Sequence, residues 1–231
     1  MRTIFPVLRW PAALAVVCAL HAQQARNEDA ERLERAAVVF QEIMDSPDKG
    51  IPQELLNKAH CAVIVPGLKK GAFIIGAKYG RGFVSCRSRK GVGWTAPAAV
   101  RIEGGSFGLQ IGGSEIDVIM LVMNERGAQR LLSSKFTLGG DASVAAGPVG
   151  RTAAAQTDAY MTAEILSWSR SRGLFAGVSL HGATLRQDLD VNRRLYGKTL
   201  ENREIIESEP PPPAAAKRLM ETLNKHSSRK S

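Results

Sequence analysis

The sequence predicts an α+β fold, a Gly-rich antiparallel β sheet or barrel flanked by short α-helices. Three observations carry that reading. The 22 glycines and 6% aromatic content favour many turns and short strands over a helical bundle. Between Ala72 and Met123, β-type segments follow one another, separated by Gly-rich turns. Helical periodicity is confined to stretches outside that block. With 231 residues, the chain has room for one domain plus a leader and a tail.

Residues Met1 to Ala22 read as a secretory leader, with Arg2 and Arg9 before an apolar run from Trp10 to Leu20 and small residues after it. That run is shorter than the roughly 20 residues of a spanning helix. Val16 and Val17 stand where a lipid-attachment signal at Cys18 needs small residues. Cleavage removes two Arg and no acid, so the formal charge falls from +9 to 9 − 2 = +7. The expected compartment is the periplasm or the exterior, where Cys61 and Cys86 either form a disulfide or stay as two buried thiols.

From Asn27 to Asp45, Leu33, Ala36, Ala37, Phe40, Ile43 and Met44 recur at helical spacing, and Pro47 stops the helix. Arg26 to Asp45 holds three basic and six acidic residues, so this helix is expected to pack on a core rather than on an anionic membrane. Pro52 to Ala59 suits a short helix. His60 to Val65 reads as a strand ended by Pro66-Gly67. The next strands are Ala72 to Lys78, Gly82 to Ser88, Gly93 to Arg101, Ser106 to Ile111 and Glu115 to Met123. Asn124 caps a helix to Ser134. Ala159 to Ser169 and Gly173 to Leu185 are strands, and Gln187 to Tyr196 is a helix. The domain is expected to span residues 27–198. Glu209 and Pro210 to Pro213 form an extended linker, and Ala214 to Lys225 a short basic helix that is marginal alone.

Signatures of common chemistry are missing from the sequence. The four His are scattered, no Cys pair has zinc spacing, and Gly104-Gly105-Ser106-Phe107-Gly108 is not a nucleophile elbow. Glu103, Glu115, Asp117 and Asp141 are explained by strand ends and turns. No catalysis, metal or cofactor is expected.

The main signal is charge. From Leu55 to Ile102 there are 48 residues without Asp or Glu but with nine basic ones. Phosphate-seeking cations interleaved with Phe73, Tyr79, Phe83 and Trp94 suit an anionic surface. The export leader and the lack of a nucleic-acid motif count against nucleic acid, leaving phospholipid headgroups or a solvated face.

Several motifs follow in order: Ile51-Pro52, Ala62-Val63-Ile64-Val65-Pro66, Tyr79-Gly80-Arg81-Gly82, Gly93-Trp94-Thr95-Ala96-Pro97-Ala98, Gly108-Leu109-Gln110-Ile111-Gly112 and Ser169-Arg170-Ser171-Arg172-Gly173-Leu174-Phe175-Ala176-Gly177-Val178. This series resembles the SYLF domain family over roughly Arg32 to Lys198. The resemblance implies a lipid-binding module, since eukaryotic members bind phosphoinositides and some bind or bundle actin. Those members also use an N-terminal amphipathic helix on lipid, whereas the matching stretch here is net acidic, which moves the expected contact to the basic strand face. For an exported protein without fused SH3 or FYVE modules, bacterial anionic phospholipids are the implied partner and actin is not. The expected lipid-binding residues are Lys69, Lys70, Lys78, Arg81, Arg87, Arg89, Lys90, Arg170 and Arg172. Carboxylates such as Asp117 and Glu164 are the competing partners for the arginines. The alternative function is a periplasmic protein-interaction or scaffolding module, with an envelope protein as partner for the same basic surface.

Overall fold

The computed structural model describes residues 10–46, 50–72, 75–107, 112–150, 162–171, 173–178 and 180–228. It is an α+β fold built on one curled sheet. Its strands are β1 (Cys61–Ala72), β2 (Ile75–Cys86), β3 (Ala98–Phe107), β4 (Gly112–Val122), β5 (Lys135–Thr137), β6 (Val144–Ala146), β7 (Ile165–Ser171), β8 (Leu174–Gly177) and β9 (Thr184–Gln187). The order across the sheet is β5-β9-β3-β2-β1-β4-β7-β6, with β8 also on β7. Every pairing is antiparallel except β6 with β7.

The helices are α1 (Trp10–Asp45), α2 (Gln53–Lys58), α3 (Glu125–Leu131), α4 (Leu189–Tyr196), α5 (Asn202–Ser208) and α6 (Lys217–His226). Helix α1 starts well before the predicted Asn27. No Gly or Pro interrupts the chain from Ala12 to Asp45, and Pro11 sits in the first turn, where its missing N–H is harmless. Among the described residues no helix is long and apolar enough to cross a membrane. Asn124 caps α3 as expected, its side chain accepting from Gly127 N at 2.8 Å. Asp188 caps α4, and Gly197 ends it in the left-handed conformation, φ 73°.

Period-two alternation puts a core on each face of the sheet. Cys61, Val63 and Val65 of β1 join Val84, Val100, Val118, Met120 and Phe136 on one face, closed by Leu131 of α3 and Ile205 of α5. Ala62 and Ile64 join Phe83, Ala99, Ile119 and Trp168 on the other, the helix face, under Leu33, Ala36, Phe40 and Ile43 of α1 and Leu219 and Leu223 of α6. The predicted core face of α1 is thus observed. The terminal helix belongs to this core, so the fold continues past the predicted end at Lys198. Helix α6 becomes stable because docking on α1 buries its apolar side.

Strand boundaries shift around Pro66-Gly67. The expected strand end is a β-bulge, with the register of β1 slipping between Val65 and Leu68 while the strand runs on to Ala72. Gly67 takes φ 67°, and its N–H donates to Asp117 Oδ1 at 2.9 Å. Opposite the bulge, Tyr79-Gly80-Arg81-Gly82 lies within β2 rather than at a turn. A Cβ on Gly82 would sit 2.1 Å from Ile64 O, and one on Gly80 would sit 2.7 Å from Leu68 Cδ1. The bulged backbone therefore crosses where only glycine fits. The predicted strand Gly173 to Leu185 divides into β8 and β9, and the predicted Ser106 to Ile111 and Ala159 to Ser169 extend partly outside the described residues.

Candidate functional site

The register of β1 and β2 spreads the expected cationic face along the whole sheet. Lys69 pairs with Tyr79 and Lys70 with Lys78 near one end; Cys61 pairs with Cys86 at the other. Nine residues of strand separate Lys78 from Arg87, about 30 Å at strand rise. Lys69, Lys70 and Lys78 therefore cannot share one contact patch with Arg87, Arg89 and Lys90.

At the Cys61 end the cations are structural. Cys61 and Cys86 form a disulfide, S–S 2.04 Å. Arg87 is 4% exposed and lies 3.9 Å over the Trp94 ring. Its guanidinium donates to Leu56 O (2.8 Å), Ala59 O (3.2 Å), Ser227 O (2.7 Å) and Ser227 Oγ (2.7 Å). Trp94 Nε1 donates to the same Ser227 carbonyl at 2.7 Å. Arg87 is thus removed from the lipid-binding set, because its donors hold the end of α2 and the segment after α6 together. Arg89 and Lys90 lie on an exposed turn clasped by Glu209, whose carboxylate accepts from Ser88 Oγ, Arg89 N and Lys90 N. Lys90 Nζ donates to Ser208 O. Arg89 also lines a cleft of ≈ 240 Å³ with His60, Arg203 and Glu207.

Arg170 is likewise occupied. Its Nε donates to Asp117 Oδ2 at 2.7 Å across the β4–β7 pair, and Glu42 of α1 pairs with its other nitrogen. Burial pushes its guanidinium below the usual range. Asp117, one of the two competing carboxylates, is the partner found; Glu164 instead pairs with Arg130 at 3.0 Å. Arg172 lies outside the described residues. Asp141 holds its turn, accepting from Thr137 N at 2.6 Å. No metal-holding cluster of His, Cys, Asp or Glu occurs among the described residues.

At the opposite end the cations gather around the bulge. A cleft of ≈ 290 Å³ is lined by Arg32 and Arg35 of α1, Lys69, Tyr79 and Arg81, with Pro66, Gly67 and Gly80 beneath. Its one carboxylate is Glu115. Tyr79 is 46% exposed. Arg81 Nε stands 3.0 Å from Asp188 Oδ2, and Arg32 pairs with Asp29 at 3.0 Å. Lys70 and Lys78 stand directly opposite each other on the sheet face away from Lys69, Tyr79 and Arg81, in a row continued by uncharged Ser114 and Gly104. Burial and the neighbouring Lys78 charge both lower the Lys70 pKa. Among the described residues none of Lys69, Lys70 and Lys78 is in an ion pair.

Register also reveals a row that spacing alone misses. Arg81 is opposite Arg101, Arg101 opposite Arg186, and Arg186 opposite Lys135, four cations across β2, β3, β9 and β5. Adjacent strands lie about 4.8 Å apart. Glu103 braces the middle, 2.8 Å from Arg101 and 3.3 Å from Arg186. Arg186 and Lys135 come from distant sequence, and Arg32 and Arg35 from a helix read as acidic.

Residues 103–226 match the family model Ysc84, described as Las17-binding protein actin regulator. The chain is 33% identical over 196 residues to SH3 domain-containing YSC84-like protein 1 of Homo sapiens, covering 82% of this chain and 57% of that protein. It is 38% identical over 178 residues to the SH3 domain-containing protein PJ696.02 of Schizosaccharomyces pombe, covering 75% and 41%. It is 34% identical over 180 residues to LAS seventeen-binding protein 3 of Saccharomyces cerevisiae, covering 76% and 39%. The chain thus spans about half the length of the curated relatives it matches. A family match over more than half of the sequence, together with the motif series and the bulge that explains its glycines, shows that this chain belongs to the Ysc84, or SYLF, family.

Proposed function

We propose that this protein is an exported, non-catalytic module that binds anionic phospholipid surfaces at the bulge end of its sheet. The observation that carries the reading is the set of cations at one end of the sheet, Arg32, Arg35, Lys69 and Arg81 lining one cleft whose only lining carboxylate is Glu115, with Lys70 and Lys78 on the opposite face of the same strands. Cations positioned without enough carboxylates attract phosphate groups. At up to about 1 kcal/mol for each basic residue near an anionic leaflet, the four outside a salt bridge among the described residues, Arg35, Lys69, Lys70 and Lys78, support a dissociation constant of about a millimolar. The leader-like segment before the domain supports the periplasmic or extracellular face of a bilayer as the place where this occurs.

Sedimentation with neutral phosphatidylcholine vesicles and with vesicles containing phosphatidylglycerol, at low and high salt, tests it. Salt-sensitive binding to the anionic vesicles, lost in Lys69→Gln/Lys70→Gln/Lys78→Gln, is expected; equal failure on both vesicle types overturns the reading. A second reading, a protein-docking or scaffolding module using the same cations, is favoured by the family description and the relatives' names, which refer to Las17, SH3 domains and actin regulation. Selective retention of an envelope protein in the absence of vesicle binding would favour it. An export compartment argues for an envelope protein instead of actin as the partner.

A further inference from the structure

Just past β2, Ser88-Arg89-Lys90-Gly91 makes a turn with serine in the first position and glycine in the last, as a tight turn favours. Ser88 Oγ accepts from Lys90 N at 3.2 Å and from Gly91 N at 3.1 Å, which fixes the loop. Arg89 N and Lys90 N then converge on one oxygen, Glu209 Oε1, at 2.8 and 3.3 Å, and Ser88 Oγ donates to the other, Oε2, at 2.7 Å. Three neutral donors therefore close on a single anion brought from a sequence distance of 120. The two cations of the turn take no part in this. Both side chains are exposed, Lys90 Nζ donates to Ser208 O, and Arg89 forms no ion pair among the described residues and lines the ≈ 240 Å³ cleft.

The carboxylate is delivered by a strained backbone. Glu209, just past α5, has φ 48° and ψ 62°, and it is the one non-glycine residue with positive φ among the described residues. A residue with a Cβ seldom adopts that left-handed conformation. Pro210 follows, and its ring favours extended backbone in the residue before it. The strain thus sits in the residue that fills the turn. Relaxing Glu209 to extended geometry redirects its side chain and frees Ser88 Oγ, Arg89 N and Lys90 N together.

We infer that the Ser88–Gly91 turn is a binding site for a phosphate monoester, kept filled in the free protein by the Glu209 carboxylate as a displaceable internal stand-in. Successive backbone N–H groups closing on one anion, with a serine hydroxyl beside them, are the donor set that cradles phosphate. A phosphate monoester brings three acceptor oxygens and up to two charges, one of each more than the carboxylate. Arg89 and Lys90, left unused by Glu209, meet the added oxygen and charge. The cleft beside the turn is balanced by its own carboxylates, Glu125 and Glu207, the second of which pairs with Arg203 at 3.2 Å, so the anion belongs in the turn and not on the cleft floor. The site is about 30 Å of strand away from the lysines of the bulge end and does not rest on the phospholipid reading above. Free phosphate and a lipid headgroup carry the same recognised group.

Backbone amide NMR of the full chain and of Glu209→Ala, titrated with inorganic phosphate at constant ionic strength, tests it. The Arg89 and Lys90 amides should move in both proteins, with the midpoint about tenfold lower in Glu209→Ala, as for a cradle open about a tenth of the time in the unaltered chain. Glu209→Gly, which takes the left-handed conformation without strain, serves the same purpose if the alanine variant does not fold. Arg89→Gln/Lys90→Gln keeps the backbone donors and should weaken phosphate about fivefold, the upper range for an exposed charge pair. No movement of these amides in any form, or the same midpoint with and without the Glu209 carboxylate, overturns the site. Phosphatidylcholine vesicles containing phosphatidic acid distinguish the sources. Tighter vesicle binding by Glu209→Ala than by the unaltered protein, reversed by inorganic phosphate, assigns the cradle to a headgroup; equal vesicle binding beside the tenfold gain for inorganic phosphate assigns it to the free anion. Loss of phosphatidylglycerol binding at the bulge end would overturn the phospholipid reading and leave this site standing.

Discussion

At the Cys61 end of the β1–β2 pair, Arg87 is surrounded by backbone carbonyls and an indole face, and a disulfide crosses the strands beside it. At the other end of the same two strands, Lys70 and Lys78 face each other with serine and glycine as their flanking neighbours. Both ends carry clustered basic residues, yet one uses cations to hold distant segments together and the other leaves them uncompensated. The difference lies in what the chain brings alongside. Helix α2 and the segment after α6 supply Arg87 with acceptors, whereas strand neighbours offer Lys70 no carboxylate. A positive stretch in a sequence is therefore divided by topology into structural and available charge.

The largest effect that would break this comparison is at the structural end. Arg87→Ala removes the guanidinium donors from the carbonyls of Leu56, Ala59 and Ser227, of which Ser227 O keeps the Trp94 indole and Leu56 O the Ala59 N–H, and the lost buried hydrogen bonds together cost about 4 kcal/mol. Chemical denaturation should show that loss, and hydrogen exchange should show α6 opening first. A loss below about 1 kcal/mol, the range of an exposed charge, would mean that Arg87 is as dispensable as a surface cation. Reduction of the Cys61–Cys86 disulfide, which closes a loop over a sequence separation of 25, should lower stability by about 3.5 kcal/mol on loop entropy. Denaturant midpoints with and without reductant measure it.

Glycines sharpen the comparison at intermediate size. Gly82→Ala places a methyl group 2.1 Å from Ile64 O at the bulge crossing and should cost about 3 kcal/mol, whereas Gly71→Ala, beyond the lysine row, meets no atom within 4 Å. Thermal melts of the two variants should differ accordingly. If Gly71→Ala proves the more damaging, the bulge is not what Tyr79-Gly80-Arg81-Gly82 serves.

Local patterns were legible in the sequence: the core stripe of α1 at Leu33, Ala36, Phe40 and Ile43, the Asn124 cap and the α+β composition. They are set by residues within one or two turns of each other. The path of β1 across Pro66-Gly67 was not, because a bulge and a turn use the same residues and only pairing with β2 and β4 decides between them. The candidate site divides the same way. Lys69, Lys70, Lys78 and Arg81 stand out by density, but Arg186 and Lys135 join their surface through pairings between segments far apart in the chain. Arg87 resembles Arg89 in sequence, and only the return of Ser227 from the far end of the chain sets it apart. Helix α6 looked marginal for the same reason, since its stabilising surface is on α1.

The smallest predicted effect concerns the available end. Burial and the charge of Lys78 hold the folded-state pKa of Lys70 below its ordinary value of 10.5. Below the folded pKa both folded and unfolded chains carry the proton, and the full cost of burying and crowding that charge is present. As pH rises through the folded pKa toward 10.5, the folded chain releases its proton first, the unfolded chain binds more protons, and stability rises. Stability measured in urea across that alkaline window should therefore rise for the unaltered protein relative to Lys70→Gln, which lacks the titrating group. Lys78→Gln should flatten part of the rise by removing the like charge, and should add up to about 0.5 kcal/mol near neutral pH. A bound anionic vesicle supplies the missing counter-charge, so amine acylation of Lys70 should shift to higher pH on phosphatidylglycerol vesicles and stay unchanged on neutral ones. An identical acylation profile on both would show that lipid phosphates do not reach the lysine row, and would place the available charge of this sheet on its Arg81-to-Lys135 row instead.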